Sequence, residues 1–458
     1  ERTYKFTQEQ LKSGVDLQSA RKIFNIRLEN YGRYRCAYSR NGRSLLLGSE
    51  KGHIALLDWS RYQLIHEFQC GENVYDVSFL HHEQMIGVAQ RKYVHIYDHQ
   101  GIEIHVLKRH INPLRLQFLP YHFLLVSTGR SGRLVYQDVS TGEIVTEHAT
   151  KLGPCRTLCQ NPANAIMHLG HANGCVTLWS PNVTKPLVKM FAHHAQVSSI
   201  AIDKQGRHMA TAGFDAKVRI WDLRNAYKPL GEFSLVRPAT SLDISQRGFL
   251  AVGLHNNKVD IFDTSVFHDH VVPSQHVDST QEPPLRFKRP STYMSHALPH
   301  GQHVSNVRFV PFEDVLGIAH SQGFSSILVP GSGEPNFDSF EANPYETSKQ
   351  SREREVHQVL DKIRPDMITL DPNTIGTVDK RMVDLSRKEK RALIEQDRID
   401  NDPEASKKKQ KYQNIVEKKV QDKKEAQILK LQEYRREQVK KQKEKGNSSS
   451  SSSSNHNS

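Results

Sequence analysis

A short apolar segment, usually ending in aspartate, recurs about every forty residues and constrains the fold of this chain more strongly than any other feature. The copies are "HIALLD" at Asp58, "YVHIYD" at Asp98, "RLVYQD" at Asp138, "CVTLWS" at Ser180, "KVRIWD" at Asp222 and "KVDIFD" at Asp263. Successive copies end 40, 40, 42, 42 and 41 residues apart, and a seventh, "FSSILVP", follows near Val329 after a longer gap. A fixed period of this length indicates a repeat architecture.

Each repeat has the composition of a small antiparallel sheet. A turn signal such as "GRSGR" or "HANGC" precedes the marker segment, and another apolar run such as "FLLVST" or "HMATAG" precedes the turn. Short strands at even spacing with Gly and Asn turns are typical of propeller blades, and a period near forty matches WD repeats. The sequence therefore predicts an all-β fold, a seven-bladed WD-repeat β-propeller with an α-helical, partly disordered C-terminal extension.

The fifth repeat, "AHHAQVSSIAIDKQGRHMATAGFDAKVRIWD", is the best preserved. It has the residues of a hydrogen-bonded structural tetrad at the positions that WD repeats use, namely His193, Thr211, Asp215 and Trp221. Although they resemble a His/Thr/Asp catalytic set, we interpret them as structural. Other repeats place Lys51, Arg91 and Ser131 where Asp215 stands. In those blades we expect apolar packing, rather than the tetrad, to hold the strands together.

The pattern divides the chain into five parts. We expect an N-terminal helical segment (1–21), the propeller (22–335), a strap with helices (336–400), a basic helical tail (401–446) and a Ser-rich disordered end (447–458). "KIFNIRL", residues 22–28, precedes the first repeat and can supply the outer strand of the last blade, which hides a sheet edge. A long polar insertion, 264–302, contains "RFKRPSTY", whose mixed cations and aromatics suit RNA; a solvated loop is the alternative.

The region after the propeller predicts a strap followed by helices. Its first half is rich in Gly, Pro and Asn, with Phe337, Phe340 and Tyr345 expected to be buried. A capping box begins a helix, and apolar residues recur at helical spacing until Pro365; these are Thr347 with Gln350, then Val356, Leu360 and Ile363. A second box, Ser386 with Glu389, predicts another helix, and a third helical stretch is expected from 402 to 445.

The motifs "GEPNFDS" and "ANPYETSKQ" behind a degenerate propeller resemble one family of nucleolar WD-repeat proteins, those associated with the U-three small nucleolar RNA. The resemblance covers about residues 20 to 400, and the strap motif residues are Gly333, Glu334, Pro335, Asn336, Phe337, Asn343 and Pro344. It implies a component of the small-subunit processome in the nucleus and nucleolus. It also implies binding to pre-ribosomal RNA, to the U-three small nucleolar ribonucleoprotein and to other processome proteins.

Positive charge is concentrated in the tail. The chain has a net charge of +13, and residues 405–446 carry 15 Lys/Arg against 6 Asp/Glu, so nine of those charges lie there. The candidate RNA-binding residues are Lys407, Lys408, Lys409, Lys411, Lys418, Lys419, Lys423 and Lys424. A positive helix neutralises phosphates in a salt-sensitive, sequence-independent manner. A solvated tail or a nuclear-import signal is the alternative interpretation.

The sequence offers no motif for catalysis. It lacks a P-loop, GxSxG and HExxH, so we expect no enzymatic activity, no cofactor and no small-molecule substrate. The histidine pairs at 81–82 and 193–194 and "FHDH" at 267–270 are candidate metal ligands, but loop histidines are the better interpretation. Five cysteines without a CxxC pair argue against a disulfide framework or zinc ribbon, and favour small buried residues in a reducing compartment.

The termini and the apolar runs add two expectations. No run of about 18 apolar residues occurs, so no membrane association is expected. The chain opens with "ERTYKFTQEQ", which is neither an initiator Met nor a signal peptide, so a true N-terminus is expected to be missing.

Two other functions remain as alternatives. "WDLR", residues 221–224, resembles the WD-x-R motif by which some WD proteins dock on adaptors of cullin-type ubiquitin ligases, which suggests a substrate receptor. The same four residues also occur in purely structural blades. A generic cytosolic scaffold is the third hypothesis, which the basic tail and the strap motifs make less attractive.

Overall fold

The strands form a closed ring of seven four-stranded antiparallel sheets in a computed structural model of the chain. The structure describes residues 6–225, 228–267, 290–338, 342–370, 423–427 and 429–433. In chain order from the axis outward, blade 1 comprises β2 Tyr34–Tyr38, β3 Ser44–Ser49, β4 His53–Asp58 and β5 Gln63–Gln69; blade 2 comprises β6 Val74–Phe79, β7 Met85–Gln90, β8 Val94–Asp98 and β9 Glu103–Leu107; blade 3 comprises β10 Pro113–Leu119, β11 Leu124–Gly129, β12 Arg133–Asp138 and β13 Ile144–Ala149.

The remaining blades repeat the same order. Blade 4 comprises β14 Cys155–Gln160, β15 Met167–His171, β16 Cys175–Trp179 and β17 Val188–Phe191; blade 5 comprises β18 Val197–Ile202, β19 His208–Gly213, β20 Lys217–Asp222 and β21 Gly231–Ser234; blade 6 comprises β22 Ala239–Ile244, β23 Leu250–Leu254, β24 Lys258–Phe262 and β25 Thr292–Ala297; blade 7 comprises β26 Val304–Phe309, β27 Val315–His320, β28 Gly323–Leu328 and β1 Phe24–Arg27. The predicted seven-bladed propeller is thereby confirmed.

Burial explains why these segments are strands. The second strand of a blade is covered on both faces, so β3 and β11 are buried at every position and read as continuous apolar runs. The outer β5 is largely exposed and mixes polar with apolar residues. Turn chemistry fixes the register, as at Gly174, where φ is 78° and a Cβ atom would lie 1.7 Å from the carbonyl oxygen of His193. Only glycine fits that turn.

The ring is closed by a strand from the N-terminal region. β1 pairs antiparallel with β28, from Phe24 opposite Ser326 to Arg27 opposite Gly323. The prediction that "KIFNIRL" completes the last blade is confirmed. Phe24 packs on Trp59 and Phe324, with ring centroids 5.3 and 6.1 Å apart, so the strand also ties blade 7 to blade 1.

The insertion is shorter than the sequence suggested. Within 264–302, Thr292–Ala297 forms β25, the outer strand of blade 6, and a 3₁₀ turn at Thr264–Phe267 packs Val266 and Phe267 against the core. The strand was missed because twenty-nine residues separate it from β24, so its position does not follow the repeat period. The polar residues 268–289 lie outside the described part of the chain.

Among the described residues up to 370, three α-helices accompany the strands: α1 Gln8–Gly14, α2 Leu17–Arg21 and α3 Ser348–Leu360. Thr347 and Gln350 make the predicted capping box of α3, which is confirmed. None of the described helices is long and apolar enough to cross a membrane. The chain divides into two compact units, 1–375 and 376–458; in the second, 423–427 and 429–433 are helical and exposed. The helix predicted from Ser386 lies outside the described residues.

Candidate interaction face of the propeller

One face of the propeller is crossed by the segment that follows the last blade. Because neighbouring strands are antiparallel, the loops after the first and third strands of every blade lie on the same face. We call residues 330–370 the strap and this side the strap face. Near its start the strap is fixed to blade 7, where the amide of Gly333 donates to Asp314 Oδ1 at 2.7 Å. Lys204 of blade 5 lies 2.9 Å from the carboxylate of Glu334.

The strap then contacts blades 1 to 4 in order. Arg43 Nη1 donates to the carbonyl of Glu346 at 3.0 Å, and His81 Nε2 lies 3.6 Å from Glu355 Oε1. The amide of Ile363 donates to the carbonyl of Tyr121 at 2.9 Å. At blade 4, Asn182 Nδ2 donates to the carbonyl of Asp366 at 2.7 Å and Ser180 Oγ to that of Ile368 at 2.8 Å. The strap is thus attached loop by loop across the face.

One ion pair within this series is electrostatically strong. Lys362 contacts the carboxylate of Asp138 and donates to Ser140 Oγ at 2.7 Å. Burial acts to raise the pKa of Asp138, but the Lys362 ammonium and the Ser140 hydroxyl outweigh it and hold the pKa below its ordinary value. Asp138, the marker aspartate of the third repeat, therefore serves as an anchor for the strap.

The strap motif residues occupy the first part of this path. Gly333 passes so close to Glu313 that a Cβ atom would lie 2.6 Å from its backbone carbon, and Asn343 Oδ1 accepts from the amide of Tyr345. Glu334, Pro335, Asn336 and Phe337 run between these points, and Pro344 follows Asn343 in a turn. The expected burial of the aromatics is wrong for Tyr345, which is 78% exposed, and for Phe337, which is 37% exposed and packs against it. Phe340 lies outside the described residues.

Helix α3 faces the propeller with polar side chains. Arg354 and Gln358 line the axial space, whereas Val356, Leu360 and Ile363 are 58%, 74% and 39% exposed. The apolar positions do recur at helical spacing, but they face solvent because the loops beneath the helix offer charged and polar partners. α3 therefore leaves an apolar stripe uncovered.

An axial cavity of about 460 Å³ lies beneath α3. First strands of all seven blades line it, contributing among others Arg35, Asp76, Arg115, Arg156, Ser198, Asp243 and Arg308. These arginines were not among the residues predicted from the sequence. Four repeats do carry an arginine in their first strand, in "YRCAY", "LRLQF", "CRTLC" and "NVRF". That these arginines face one cavity becomes evident only when the ring closes.

Away from the axis, the fifth blade contains the tetrad geometry. Thr211 Oγ1 is 2.9 Å from His193 Nε2 and accepts from Trp221 Nε1 at 3.0 Å, and His193 Nδ1 lies 3.2 Å from the carboxylate of Asp215. Burial lowers the pKa of His193, although Asp215 opposes the shift. Thr211 and His193 have no exposed surface, which suits a structural role better than contact with a substrate.

Other blades have different buried polar networks. In blade 4, His171 Nε2 and Trp179 Nε1 both lie within 3 Å of Thr177 Oγ1. In blade 3, His110 Nε2 lies 2.8 Å from Gln137 Oε1, and in blade 1, Tyr34 bonds to a histidine. We expected apolar packing, rather than the tetrad, to hold the degenerate blades; these hydrogen bonds add to that packing without reproducing the tetrad. The hydrogen-bonding residues of these blades differ from the WD pattern in type and position, which is why the sequence did not reveal them.

Two family models match the chain. The one described as "BING4CT (NUC141) domain" matches residues 292–371, and "WD domain, G-beta repeat" matches 184–222. U3 small nucleolar RNA-associated protein 7 of Saccharomyces cerevisiae is 45% identical over 381 residues, 83% of this chain and 68% of the yeast protein. WD repeat-containing protein 46 is 44% identical over 392 residues in Caenorhabditis elegans and 41% over 405 in Homo sapiens. These alignments cover 86% and 88% of this chain, and 64% and 62% of the relatives.

The chain belongs to the WD-repeat family that includes U3 small nucleolar RNA-associated protein 7 and WD repeat-containing protein 46. The resemblance inferred from "GEPNFDS" and "ANPYETSKQ" is confirmed. The chain spans about two thirds of the length of these relatives. The BING4CT match begins with β25 and ends just beyond the point where the strap meets blade 4, so the region that distinguishes the family includes the closing blade together with the strap.

The remaining candidate residues of the sequence lie apart from one another. Within the described part of the chain, no group of three or more His, Cys, Asp or Glu residues is arranged to hold a metal ion, and 268–270 lie outside it. Arg224 of the "WDLR" motif is paired at 2.9 Å with Asp222, the last residue of β20. That ion pair is a local reason for the arginine, and the ubiquitin-ligase alternative stays a hypothesis.

The cysteines and the tail lysines differ in exposure. Cys36, Cys70 and Cys155 are buried free thiols, while Cys159 and Cys175 are partly exposed. Burial raises the pKa of Cys155 to about 11, so it is an unreactive thiol. Of the candidate RNA-binding lysines, Lys423 and Lys424 are exposed on a helical segment, and the others lie outside the described residues.

Proposed function

We propose that the protein is a non-catalytic scaffold of the small-subunit processome, located in the nucleolus, which binds pre-ribosomal RNA and other processome proteins. The proposal is carried by one observation: 45% identity, across 83% of this chain, with a yeast protein whose name associates it with U3 small nucleolar RNA. In this proposal the protein supports maturation of the small-subunit ribosomal RNA by holding other components together, without chemistry of its own.

The strap face is suited to protein contacts. The strap is attached to successive blades by hydrogen bonds and ion pairs, so α3 is presented in a fixed orientation. The exposed Val356, Val359 and Leu360 of α3, with Ile363 just beyond its end, offer apolar surface of the kind that partner proteins cover. A rigid disc with a fixed helix on one face can position partners relative to one another without any conformational change.

The tail is suited to RNA. Residues 405–446 carry nine net positive charges, and neutralising phosphates releases counterions in proportion to the number of phosphates neutralised. This binding is independent of sequence, so in this proposal specificity comes from the partners of the propeller and the tail adds affinity. The assignment rests on the charge of the tail and its composition.

The first experiment identifies the RNA that the protein carries. Tagged full-length protein is purified at near-physiological salt, and the RNA that accompanies it is sequenced. We expect enrichment of small-subunit precursor RNA and of the U3 small nucleolar RNA. Recovery of ubiquitin-ligase adaptors without ribosomal RNA enrichment would overturn the proposal in favour of the alternative.

The second experiment tests the tail separately. Replacing the eight candidate lysines by glutamine is expected to weaken RNA binding and to reduce the slope of log K against log salt by about 0.7 for each single-strand phosphate that the protein no longer neutralises. A matched control replaces Lys108, Lys151 and Lys185, which are exposed on the propeller, and leaves the slope unchanged. An unaltered slope in the tail variant would show that the propeller, and not the tail, holds the RNA.

A further inference from the structure

Four arginines face the axial cavity from four different blades. Arg35, Arg115, Arg156 and Arg308 come from the first strands of blades 1, 3, 4 and 7. The first strands of blades 2 and 6 supply one carboxylate each, Asp76 and Asp243. Arg40 and Arg354 line the mouth of the cavity under α3, together with Glu83. Six guanidinium groups therefore share this space with three carboxylates.

The carboxylates are already engaged. Asp243 Oδ1 lies 3.1 Å from Arg308 Nη1, and its other oxygen accepts from the amide of Phe309 at 2.7 Å. Asp76 pairs with Arg35 at 3.5 Å and accepts from the amide of Leu116 at 3.0 Å. Glu83 accepts from Asn41 and from Ser44 Oγ. Little negative charge is left for the other arginines.

Arg115 and Arg156 are the two first-strand arginines for which the described residues provide no paired carboxylate. At the mouth of the cavity, Arg354 pairs with Glu346 and Arg40 lies over the ring of Tyr121. Arg115 Nη1 donates to two backbone carbonyls, those of Leu114 at 2.8 Å and Tyr75 at 3.4 Å. Among the described residues, neither Arg115 nor Arg156 makes an ion pair with a carboxylate. Burial and the charges of the neighbouring arginines lower the pKa of Arg115 to about 9. Arg115 is partly buried, and the nearby Asp76, which pairs with Arg35, only partly offsets this effect; Arg156 is exposed at the cavity wall. A partly buried cation without a carboxylate paired to it is unfavourable, so the cavity favours an anion.

The size of the cavity restricts what that anion is. A volume of about 460 Å³ falls within the range of ligand pockets, ~300–1,000 Å³, and exceeds what a single small ion fills. Guanidinium groups bind phosphate bidentately, and arginines on several sides match an anion with charge at several positions. Because α3 covers one mouth of the channel, a compact molecule fits better than a continuous strand.

We propose that the axial cavity binds a small anion carrying two or more phosphate groups, held by Arg115 and Arg156, with Arg35 and Arg308 at its sides. This ligand contributes to the stability of the propeller, since it neutralises charge that the fold leaves unpaired at its centre. The inference goes beyond the proposed function and does not depend on it. An anion at the axis also lies under α3, whose Arg354 and Gln358 close the site.

The test measures thermal unfolding and calorimetric binding of the full-length protein with named probes. These are pyrophosphate, myo-inositol hexakisphosphate and inorganic phosphate, with citrate at equal ionic strength as a polyanion without phosphate. We expect the first two probes to raise the melting temperature and citrate not to do so. Absence of a shift with every phosphate probe, or an equal shift with citrate, would overturn the proposal.

Substitutions of the lining arginines test whether the ligand binds in the axial cavity. The double variant Arg115→Gln/Arg156→Gln is expected to lose at least tenfold in affinity, and its ligand-free melting temperature equals or exceeds that of the wild type because the partly buried, unpaired cation of Arg115 is gone. Arg133→Gln is the matched control, since Arg133 is an exposed arginine of blade 3 paired with Glu147, and it retains binding. Unchanged affinity in the double variant would refute the assignment, and a folded variant is demonstrated by its melting transition.

Two further experiments distinguish binding in the axial cavity from binding at other positively charged surfaces. The variant with eight lysines replaced in the tail keeps the thermal shift if the cavity is the site; loss of the shift would assign it to the tail instead. A single-stranded RNA oligonucleotide is expected not to displace the bound probe. Displacement that is sensitive to Arg115→Gln/Arg156→Gln would mean that the cavity takes RNA, and would overturn the assignment of a small ligand.

Discussion

At the scale of single residues, Thr211 is the hub of a buried network that a single hydroxyl maintains. It accepts from Trp221 Nε1, lies within hydrogen-bonding distance of His193 and donates to the carbonyl of Arg219. Thr211→Val keeps the shape and removes the hydroxyl, which leaves the indole N–H of Trp221 buried without a partner. We expect the free energy of unfolding to fall by about 2–3 kcal/mol in urea titrations.

Thr184→Val is the matched control for this variant. Thr184 is exposed in a loop of blade 4, so its free energy of unfolding should change by less than about 0.5 kcal/mol. If Thr211→Val were as stable as this control, the network of the fifth blade would be incidental to stability. Its apolar strands would then suffice, as the sequence suggested for the other blades.

Buried histidines predict how stability depends on pH. Burial lowers the pKa to about 4 for each of four histidines that are 0–1% exposed, namely His110, His168, His171 and His320. In the unfolded chain they take up protons near pH 6.5, which the folded state resists. The contribution of these four histidines to the free energy of unfolding is therefore fully present above about pH 6.5 and is lost as the pH falls toward 4. The free energy of unfolding should decrease between pH 7 and pH 5 by about 1–2 kcal/mol for each of these histidines.

One variant isolates a single histidine in this titration. His168→Leu replaces a fully buried ring by a side chain of similar size. The unfolded chain then binds one proton fewer in excess of the folded state, so the free energy of unfolding changes less steeply with pH, by about 1.4 kcal/mol per pH unit between pH 6 and 4.5. The same substitution at the exposed His105 leaves the slope as in the wild type. An unchanged slope in His168→Leu would mean that its ring is protonated in both states.

At this scale, residues that match a pattern were identifiable from the sequence, whereas those that depend on assembly were not. The four residues of the fifth blade could be found because WD repeats put fixed residue types at fixed positions. Arg115 and Arg156 lie forty-one residues apart, and nothing local to either indicates that both face one cavity. The hydrogen bonds of His110 and His171 use partners outside the WD pattern, so only the folded blades reveal them.

At the scale of elements, β1 is the strand on which closure of the ring depends. It covers the edge of β28 and buries Phe24 between Trp59 and Phe324. Deleting residues 1–28 should lower the melting temperature substantially and promote self-association, because an unpaired edge strand is a template for pairing. Thermal unfolding and size-exclusion chromatography measure the two effects.

The matched control deletes residues 1–6 alone. It retains Thr7, which caps α1, and Gln8, whose side-chain amide bonds to the backbone of Leu328. This shorter chain should behave as the full chain does. An unchanged melting temperature in the longer deletion would show that blade 7 is stable with three strands.

Elements were predictable to the extent that their signals are local. Periodicity and turn chemistry placed the strands, and a capping box placed the start of α3. β25 escaped because the insertion separates it from its blade. The orientation of α3 was also not predictable. Its apolar spacing suggests that the apolar face is covered, but Arg354 pairs with the buried Glu346 and Glu355 pairs with a propeller loop, so the polar face is turned toward the propeller.

At the scale of the whole molecule, the strap and the ring form one structure rather than a domain and an appendage. Ile368 is 2% exposed against blade 4, and Lys362 anchors the strap at blade 3. The sequence predicted a boundary near residue 335, because the repeats end there. Interactions that join residues more than two hundred positions apart, such as Lys362 with Asp138, cannot be read from a single sequence.

Two truncations distinguish a stabilising strap from a passive one. A chain that ends after residue 371 keeps all the interactions of the strap described above and should melt within about 2 °C of the full chain. A chain that ends after residue 335 lacks the anchors at blades 1 to 4 and exposes the site of Ile368, so its melting temperature should fall by about 5 °C or more, given ~1.5–3 kcal/mol for one buried isoleucine. Equal melting temperatures would mean that the propeller is complete at its last strand and that the strap is held by it without stabilising it.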